Sequence, residues 1–170
     1  SDVCSSDLVQ ATNVAELVAL AKAQPGKIFF GSTGIGSGPH LAGELFRSLA
    51  GVNIVHVPYK GDAPLVPALL SGEVQMSFLP SQAAMPQIKG GKLRAIAVAS
   101  ATRSPFLPDT PPVGDTVTGY DMTTWAGLFT TGGTPRDITQ RISNEGLRML
   151  KQPDVLKTLQ TWGVEPIEIG

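Results

Sequence analysis

The chain has 170 residues, enough for one ordinary domain with a buried core. Charged residues make up 16% of the sequence and the formal net charge is -1, which excludes a basic nucleic-acid-binding surface. Apolar residues make up 42%, which excludes a disordered chain. No apolar run reaches the ~18 residues that span a bilayer, so we expect no membrane insertion. The single cysteine, Cys4, cannot form an internal disulfide.

The first eight residues, 1–8, have no apolar period and no basic stretch, so they are not a signal peptide. We expect them to be a non-native tail that lies outside the fold. A predicted helix follows, because Asn13 and Glu16 form a capping box and apolar residues then recur on one helical face. The Gln-Pro-Gly sequence at 24–26 ends this helix.

A glycine-rich loop at 31–40, here called the cradle loop, connects a predicted strand at 27–30 to a predicted helix at 41–50. Its glycines let the backbone turn amides inward and approach a ligand closely. Ser32, Thr33 and Ser37 add hydroxyl groups that donate or accept hydrogen bonds.

The end of the cradle loop has the features of a helix start. Pro39 suits the first helical turn, with Gly38 or Ser37 as the N-cap. The unpaired amides and the positive dipole end of a helix favour an anion, so we interpret the loop as a cradle for a small carboxylate or phosphate. The helix is expected to bury a stripe and to end at a glycine C-cap: Leu41, Leu45, Leu49 and Gly51.

An ordinary structural turn stays open as the alternative, since glycine-rich strand-to-helix turns are common in α/β proteins. Neither nucleotide-binding motif is met. Ser37 stands where a P-loop requires lysine, and Pro39 stands where the dinucleotide fingerprint requires glycine.

The next elements alternate as strand, helix, strand, helix, strand, which predicts an α/β fold. The predicted ranges are 54–57, which reads as a covered parallel strand containing the core residue His56, then 64–70, 74–79, 81–89 and 93–99. A proline-rich surface loop follows at 104–119. The last predicted elements are a strand at 123–130, a helix capped by Thr134 with Pro135 in its first turn, a helix from Pro153 to Gly163, and a strand at 164–169.

Several segments together resemble the periplasmic solute receptors of tripartite tricarboxylate transporters, often called Bug-type receptors. The first is GSTGIGSGPHLAGELF at 31–46, followed by VHVPYKG at 55–61. Further segments are Pro-Gly-Lys at 25–27, LRAIAV at 93–98, RSPFLPD at 103–109, WAGLF at 125–129 and Gly-Thr-Pro at 133–135. The resemblance covers roughly residues 12–167.

The resemblance implies a two-lobed type II periplasmic-binding-protein fold, of which this chain looks like a C-terminal fragment. Residues 9–125 would form the second ligand-binding lobe, a mixed sheet flanked by helices. Residues 126–170 would supply the crossing strand and C-terminal helices of the first lobe. The family's first-lobe Pro-Gly-Gly loop has no counterpart here, so we expect the isolated chain to bind ligand weakly or not at all.

The candidate ligand-binding residues lie on two loops: Ser32, Thr33, Gly34, Gly36, Ser37 and His40 on the first, and Lys60 and Gly61 on the second. For the second loop we favour the backbone amide of Gly61 over the Lys60 side chain. We expect His40 to orient the cradle loop by hydrogen bonding to a carbonyl.

The resemblance implies a non-enzymatic receptor that captures a small organic anion and delivers it to a membrane permease from the periplasm. The alternative is a receptor that presents its ligand to a two-component sensor. An enzyme is less favoured because no G-x-S-x-G elbow is present. His40 and Glu44 do not have the paired-ligand spacing of a zinc helix, so neither a metal nor a cofactor is expected.

Overall fold

The computed structural model describes residues 2–5 and 11–167. The chain divides into two compact units, Ser1–Thr124 and Trp125–Gly170. The first unit holds five strands, four helices and one 3-10 turn among its described residues. They are β1 Asp2–Ser5, α1 Val14–Ala23, β2 Phe29–Ser32, α2 Gly38–Ala50, β3 Val55–Pro58, α3 Asp62–Ser71, β4 Met76–Leu79, α4 Ser81–Lys89, β5 Arg94–Val98 and the 3-10 turn Val113–Asp115.

The five strands form one mixed sheet in the order β3-β2-β4-β1-β5. β2 runs parallel to both β3 and β4, whereas β1 runs antiparallel to β4 and β5. This arrangement confirms the predicted α/β fold with a mixed sheet flanked by helices.

The core lies on both faces of the sheet, because successive strand residues point to opposite sides. Phe30 and Phe78 face α1 and α2, where they join Leu17 and Phe46 in one buried cluster. The second cluster, on the α3 and α4 side, is built from smaller aliphatic residues and includes Leu65, Leu69, Val74, Leu79 and Ala84.

The predicted capping box of α1 is present, but the Glu16 side chain bonds the amide of Thr12, one residue before the N-cap, instead of the amide of the N-cap itself. Asn13 is the N-cap, and its side chain accepts a hydrogen bond from the Glu16 amide at 2.9 Å. The Glu16 carboxylate reaches back to the Thr12 amide at 2.7 Å, and this bond lowers the pKa of Glu16. Both partners of the box therefore satisfy amides that the helix leaves unpaired.

The prediction that residues 1–8 lie outside the fold is wrong for residues 2–5. They form β1, which pairs with β4 on one side and β5 on the other. Val3 is 1% exposed and belongs to the larger core cluster. A four-residue strand between two open strand edges satisfies the backbone groups on both edges, and no periodicity signal marks so short a segment. Residues 6–8 lie outside the described residues, and the non-native origin of the segment stays a prediction.

The predicted buried stripe of α2 is wrong for two of its three leucines. Leu41 and Leu49 are exposed, and Leu45 is half-buried against the core. The buried face carries Pro39, Ala42, Gly43 and Phe46 instead. Ala42 and Gly43 are small and allow α2 to approach the sheet closely. The spacing of the leucines therefore predicts the wrong buried face.

The strand at 54–57 is shifted by one residue and lies at the edge of the sheet. Its parallel pairing with β2 confirms one part of the prediction. It is not covered on both faces, because Val55, His56 and Val57 are each only half-buried. Only one neighbour, β2, pairs with it among the described residues.

The second unit contains α5, Arg136–Leu150, and α6, Pro153–Trp162, the latter closed by Gly163 as predicted. The predicted strand at 123–130 is wrong, since these residues form neither strand nor helix. Residues 164–167 also form no strand, and the rest of that prediction lies outside the described residues. A strand requires a partner for its backbone groups, which propensity alone cannot supply. Thr134 does not cap α5; its hydroxyl donates to the Thr131 carbonyl at 2.8 Å and Pro135 occupies the cap position.

None of the helices within residues 2–5 and 11–167 has the length and hydropathy needed to cross a membrane.

Candidate functional site

The cradle loop turns sharply from β2 into α2, and two glycines make the turn possible. Gly34 has a φ of 137° and Gly36 a φ of 80°, values that side-chain-bearing residues rarely adopt. Ser37 is the N-cap of α2, and its hydroxyl donates to the Gly34 carbonyl at 2.7 Å. The same oxygen accepts a bond from the His40 amide at 3.4 Å. Ser37 therefore fixes both the end of the loop and the start of the helix, and of the two predicted N-cap candidates, Gly38 and Ser37, it is the one that caps α2.

Three amides of the cradle loop are already bonded within the loop. The Gly34 amide donates to the Ser32 hydroxyl at 3.2 Å, and the Gly36 amide donates to Nδ1 of His40 at 3.0 Å. The Ser37 amide donates to the Gly34 carbonyl at 3.2 Å. Among the described residues, the Thr33, Ile35 and Gly38 amides have no such acceptor. Ile35 and Gly38 lie closest in sequence to the start of α2, so these two amides, rather than those of Gly34 and Gly36, are the donors that we expect the turn to offer to a ligand.

Ser32 supports the loop from inside the protein. Its side chain is 0% exposed, and its hydroxyl lies 2.6 Å from Nε2 of His56 on β3. It also accepts the Gly34 amide, so it links the neighbouring strand to the turn. The hydroxyl has one proton, which it can donate to the Gly34 carbonyl at 3.2 Å or to Nε2 of His56, so donating to an anion would break one of these contacts.

His40 orients the loop, but through an amide and not through the predicted carbonyl. Its Nδ1 accepts the Gly36 amide, so this nitrogen carries no proton in the structure. The His40 ring packs on the His56 ring with a centroid distance of 4.1 Å, and Phe30 stacks on His56 at 4.9 Å. Burial and the His40 ring lower the pKa of His56. His56 is thus a satisfied histidine, as predicted, although it is half-buried and lies directly beneath the turn.

The second junction, between β3 and α3, is joined to the cradle loop by backbone bonds. The Tyr59 amide donates to the Ser32 carbonyl at 2.9 Å, and the Gly61 amide donates to the Thr33 carbonyl at 3.3 Å. Gly61 has a φ of 97°, which glycine permits. Its amide therefore joins the two loops in this structure, and the Lys60 side chain is exposed beside it.

Asp62 begins α3 immediately after this junction, and the sequence did not single it out as a site residue, just as it did not single out Ile35 and Gly38 in the cradle loop. Its Oδ1 is buried and has no hydrogen-bond partner among the described residues. Burial raises the pKa of the Asp62 carboxyl. A carboxylate in a Gly-Asp-Ala-Pro loop looks like an ordinary exposed turn residue, so only the packing reveals it.

The electrostatics of the cradle loop favour an anion. α2 runs for 13 residues with its N-terminus at the turn, and its first turn contains no acidic residue. The positive end of the helix dipole is therefore not neutralised locally. Within the part of the chain that the structure describes, no cluster of three or more His, Cys, Asp or Glu side chains could hold a metal ion.

The sequence of residues 4–169 matches a family described as the tripartite tricarboxylate transporter family receptor. A protein encoded in the tcbD–tcbE intergenic region of Pseudomonas sp. strain P51 is 34% identical over 155 residues, which cover 90% of this chain and 46% of that protein. The chain belongs to the tripartite tricarboxylate transporter receptor family. BugT of Bordetella pertussis is 31% identical over 154 residues, covering 89% of this chain and 47% of BugT. This receptor chain therefore spans about half the length of the curated relatives it matches.

Three solved structures share the fold of this family member over about half of their own length. Rpa4515 of R. palustris, solved with adipate, superposes with a TM-score of 0.91 at 31% identity and matches 97% of this chain and 56% of Rpa4515. MatC of Rhodopseudomonas palustris, with bound malate, gives 0.87 at 25% identity, covering 95% of this chain and 55% of MatC. The periplasmic binding protein BugD gives 0.85 at 28% identity, covering 95% of this chain and 55% of BugD.

These matches confirm the resemblance to Bug-type receptors. The family is described as a transporter receptor family and BugD as a periplasmic binding protein, so the comparisons favour the transporter-receptor interpretation over the sensor-partner and enzyme interpretations.

Proposed function

We propose that this chain provides one anion-holding loop of a periplasmic receptor for a small carboxylate, and that the whole receptor acts without catalysis. The cradle loop would hold one carboxylate through the Ile35 and Gly38 amides at the positive end of α2. A membrane permease of the tripartite tricarboxylate type would then receive the ligand.

The observation that carries this proposal is that, among the described residues, the amides of Ile35, just before α2, and of Gly38, at its start, have no acceptor, and that the first turn of this helix has no acidic residue. Amides at a helix N-terminus bind anions through hydrogen bonds and through the dipole together. The adipate and malate bound by two relatives support a carboxylate as the anion. The candidate residues Ser32, Thr33, Gly34, Gly36, Ser37, His40, Lys60 and Gly61 then act mostly by shaping the loop.

Titration calorimetry of the chain with adipate and with malate tests the proposal. We expect weak binding of both dianions, and no binding of the uncharged dimethyl ester of adipate, because the loop recognises negative charge. Equal affinity for adipate and its dimethyl ester would contradict the proposal.

A matched pair of variants at Ile35 tests the amide itself. The Ile35 side chain is 81% exposed, so changing it disturbs little packing. Ile35→Pro removes the amide proton, whereas Ile35→Ala keeps it. A hydrogen bond to a charged group stabilises by about 1.5–3 kcal/mol, so I35P should bind adipate at least ~10-fold more weakly than I35A. Equal affinities would exclude this amide as a ligand donor.

A further inference from the structure

Two histidine rings contact the turn of the cradle loop at different points, one from His40 at the end of the loop and one from His56 on β3. His40 accepts the Gly36 amide through Nδ1, and His56 reaches the Gly34 amide indirectly through the Ser32 hydroxyl. The rings contact each other with a centroid distance of 4.1 Å. Both glycine amides of the turn are therefore held by a chain of contacts that ends on an imidazole.

The bond at His40 requires an uncharged nitrogen. An imidazole nitrogen accepts a hydrogen bond only when it carries no proton, and an imidazolium has two donors and no acceptor. A proton on Nδ1 of His40 would face the Gly36 amide proton directly. The observed shape of the turn is therefore the shape that belongs to neutral His40.

We propose that His40 and His56 are positioning residues for the anion site, and that proton uptake at His40 releases the Gly36 amide and opens the cradle loop. His56 acts through Ser32 and fixes Gly34, while His40 fixes Gly36. The proposal assigns no ligand contact to either ring, and it rests on the proposed function only for its effect on anion affinity.

Glu44 is an acidic residue near the two rings, and its charge acts to raise the pKa of His56, but burial and the His40 ring outweigh it and lower that pKa. Glu44 lies one helical turn after His40 on α2, and its carboxylate is paired with Arg47. Phe30 on β2, which stacks on His56, is uncharged. The Ser32 hydroxyl can serve Nε2 of His56 as a donor or as an acceptor, so this contact can persist in either protonation state of His56. Two positive rings in contact would repel each other.

Nuclear magnetic resonance of the ligand-free chain tests the proposal without any ligand. At pH 8 we expect His40 to carry its proton on Nε2, and we expect the Gly36 amide shift to change together with the His40 ring signals when the solution is acidified. A Gly36 amide shift that stays constant while His40 titrates would overturn the proposal. A proton on Nδ1 of His40 at pH 8 would also overturn it.

Two variants separate positioning from packing. His40→Asn places an oxygen acceptor near the position of Nδ1 but does not titrate, so the Gly36 amide should stay bonded at every pH. His40→Phe fills the space without an acceptor, so at pH 8 the Gly36 amide should already show the acid shift of the wild type. If both variants give the same Gly36 shift, His40 acts through packing alone and the proposal fails.

The effect on binding is measured with adipate as the probe, by comparing the wild type with H40N at each pH. Protonation of adipate itself affects both proteins equally and cancels in the ratio. Once His40 is mostly protonated, the wild-type affinity relative to H40N should fall by up to about tenfold per pH unit, because only the neutral form has the binding shape. A rise would mean that the imidazolium attracts the anion, and would overturn this consequence. Failure of both proteins to bind adipate would count against the proposed function, whereas the ligand-free spectra still decide the proposal on His40.

Discussion

Gly43 on α2 faces the ring of Phe30 on β2, and no space remains for a side chain between them. A Cβ atom at this position would overlap three ring atoms of Phe30. Both residues are buried, and Phe30 belongs to β2, the strand that leads into the cradle loop. This contact explains why small residues, and not the leucines, form the buried face of α2.

Gly43→Ala should destabilise the protein, although alanine favours helices more than glycine does. Overpacking of a filled core costs about 1–3 kcal/mol, which exceeds the gain of up to about 1 kcal/mol in helix propensity. Gly146→Ala in α5 is the matched control, since a Cβ there meets no atom within 4 Å. Thermal unfolding should show a lower midpoint for G43A and an equal or higher midpoint for G146A. A stabilised G43A would contradict the observed packing.

Asp62 should make the stability of the first unit depend on pH in a specific direction. Burial raises the pKa of its carboxyl in the folded state, so the folded chain holds this proton more tightly than the unfolded chain. The stability from this group is present below the unfolded pKa and is lost as the pH rises through the folded pKa. Asp62→Asn cannot titrate and should therefore gain stability relative to the wild type between pH 4 and pH 7.

The size of that gain is limited because Asp62 is only half-buried and solvent screens its charge. We expect D62N to gain stability relative to the wild type when urea unfolding at pH 7 is compared with pH 4, and we expect the gain to be small. A stability difference between wild type and D62N that does not change with pH would show that Oδ1 is satisfied in solution.

At the level of elements, helix boundaries were more predictable from sequence than strands. Local residues fix a helix end, as the Asn13 cap and the glycines after α3 and α6 show. The predicted bounds of α4 match Ser81–Lys89, but the sequence also predicts an interruption at Pro86 that is wrong, since the helix continues through this proline. Strands depend on partners that are distant in sequence, so β2 lies two residues later than expected, at Phe29–Ser32, where it pairs with both neighbours.

The cradle loop follows the same division between local and distant causes. Its helix cap, narrowed by the sequence to Gly38 or Ser37, and its turn glycines are local features that the sequence predicts. The contact between His56 and Ser32 and the bond from Gly61 to Thr33 join different βα units, so no local sequence pattern predicts them. The structure was therefore needed to identify the amides that remain available for a ligand.

α3 contains two exposed prolines that should respond differently to replacement. Pro67 lies inside the helix, where it removes a backbone hydrogen bond, whereas Pro64 lies in the first turn, where no intrahelical partner is needed. Pro67→Ala should stabilise the protein by about 1–3 kcal/mol in chemical unfolding. Pro64→Ala is the control and should change the stability little or reduce it, because proline suits a helix start. Equal effects of the two replacements would contradict the helix assignment.

On the scale of the whole molecule, the chain comprises two units, Ser1–Thr124 and Trp125–Gly170, and the cradle loop lies entirely within the first. The described residues of the second unit expose several large apolar side chains: Trp125, Leu128, Phe129, Ile138, Ile142, Met149, Trp162 and Ile167. The chain spans about half of its curated relatives. Recognition in a receptor of this family is therefore proposed to need more than this loop, which is why we expect the chain alone to bind weakly.

The central claim is that two backbone amides, that of Ile35 just before α2 and that of Gly38 at its start, bind a carboxylate. The most direct measurement is a titration of the nitrogen-15-labelled chain with adipate, followed at every backbone amide. We predict that the Ile35 and Gly38 amide protons shift most and move downfield, as amides do on bonding to a carboxylate. Largest shifts at other amides, with Ile35 and Gly38 unchanged at saturation, would contradict the account.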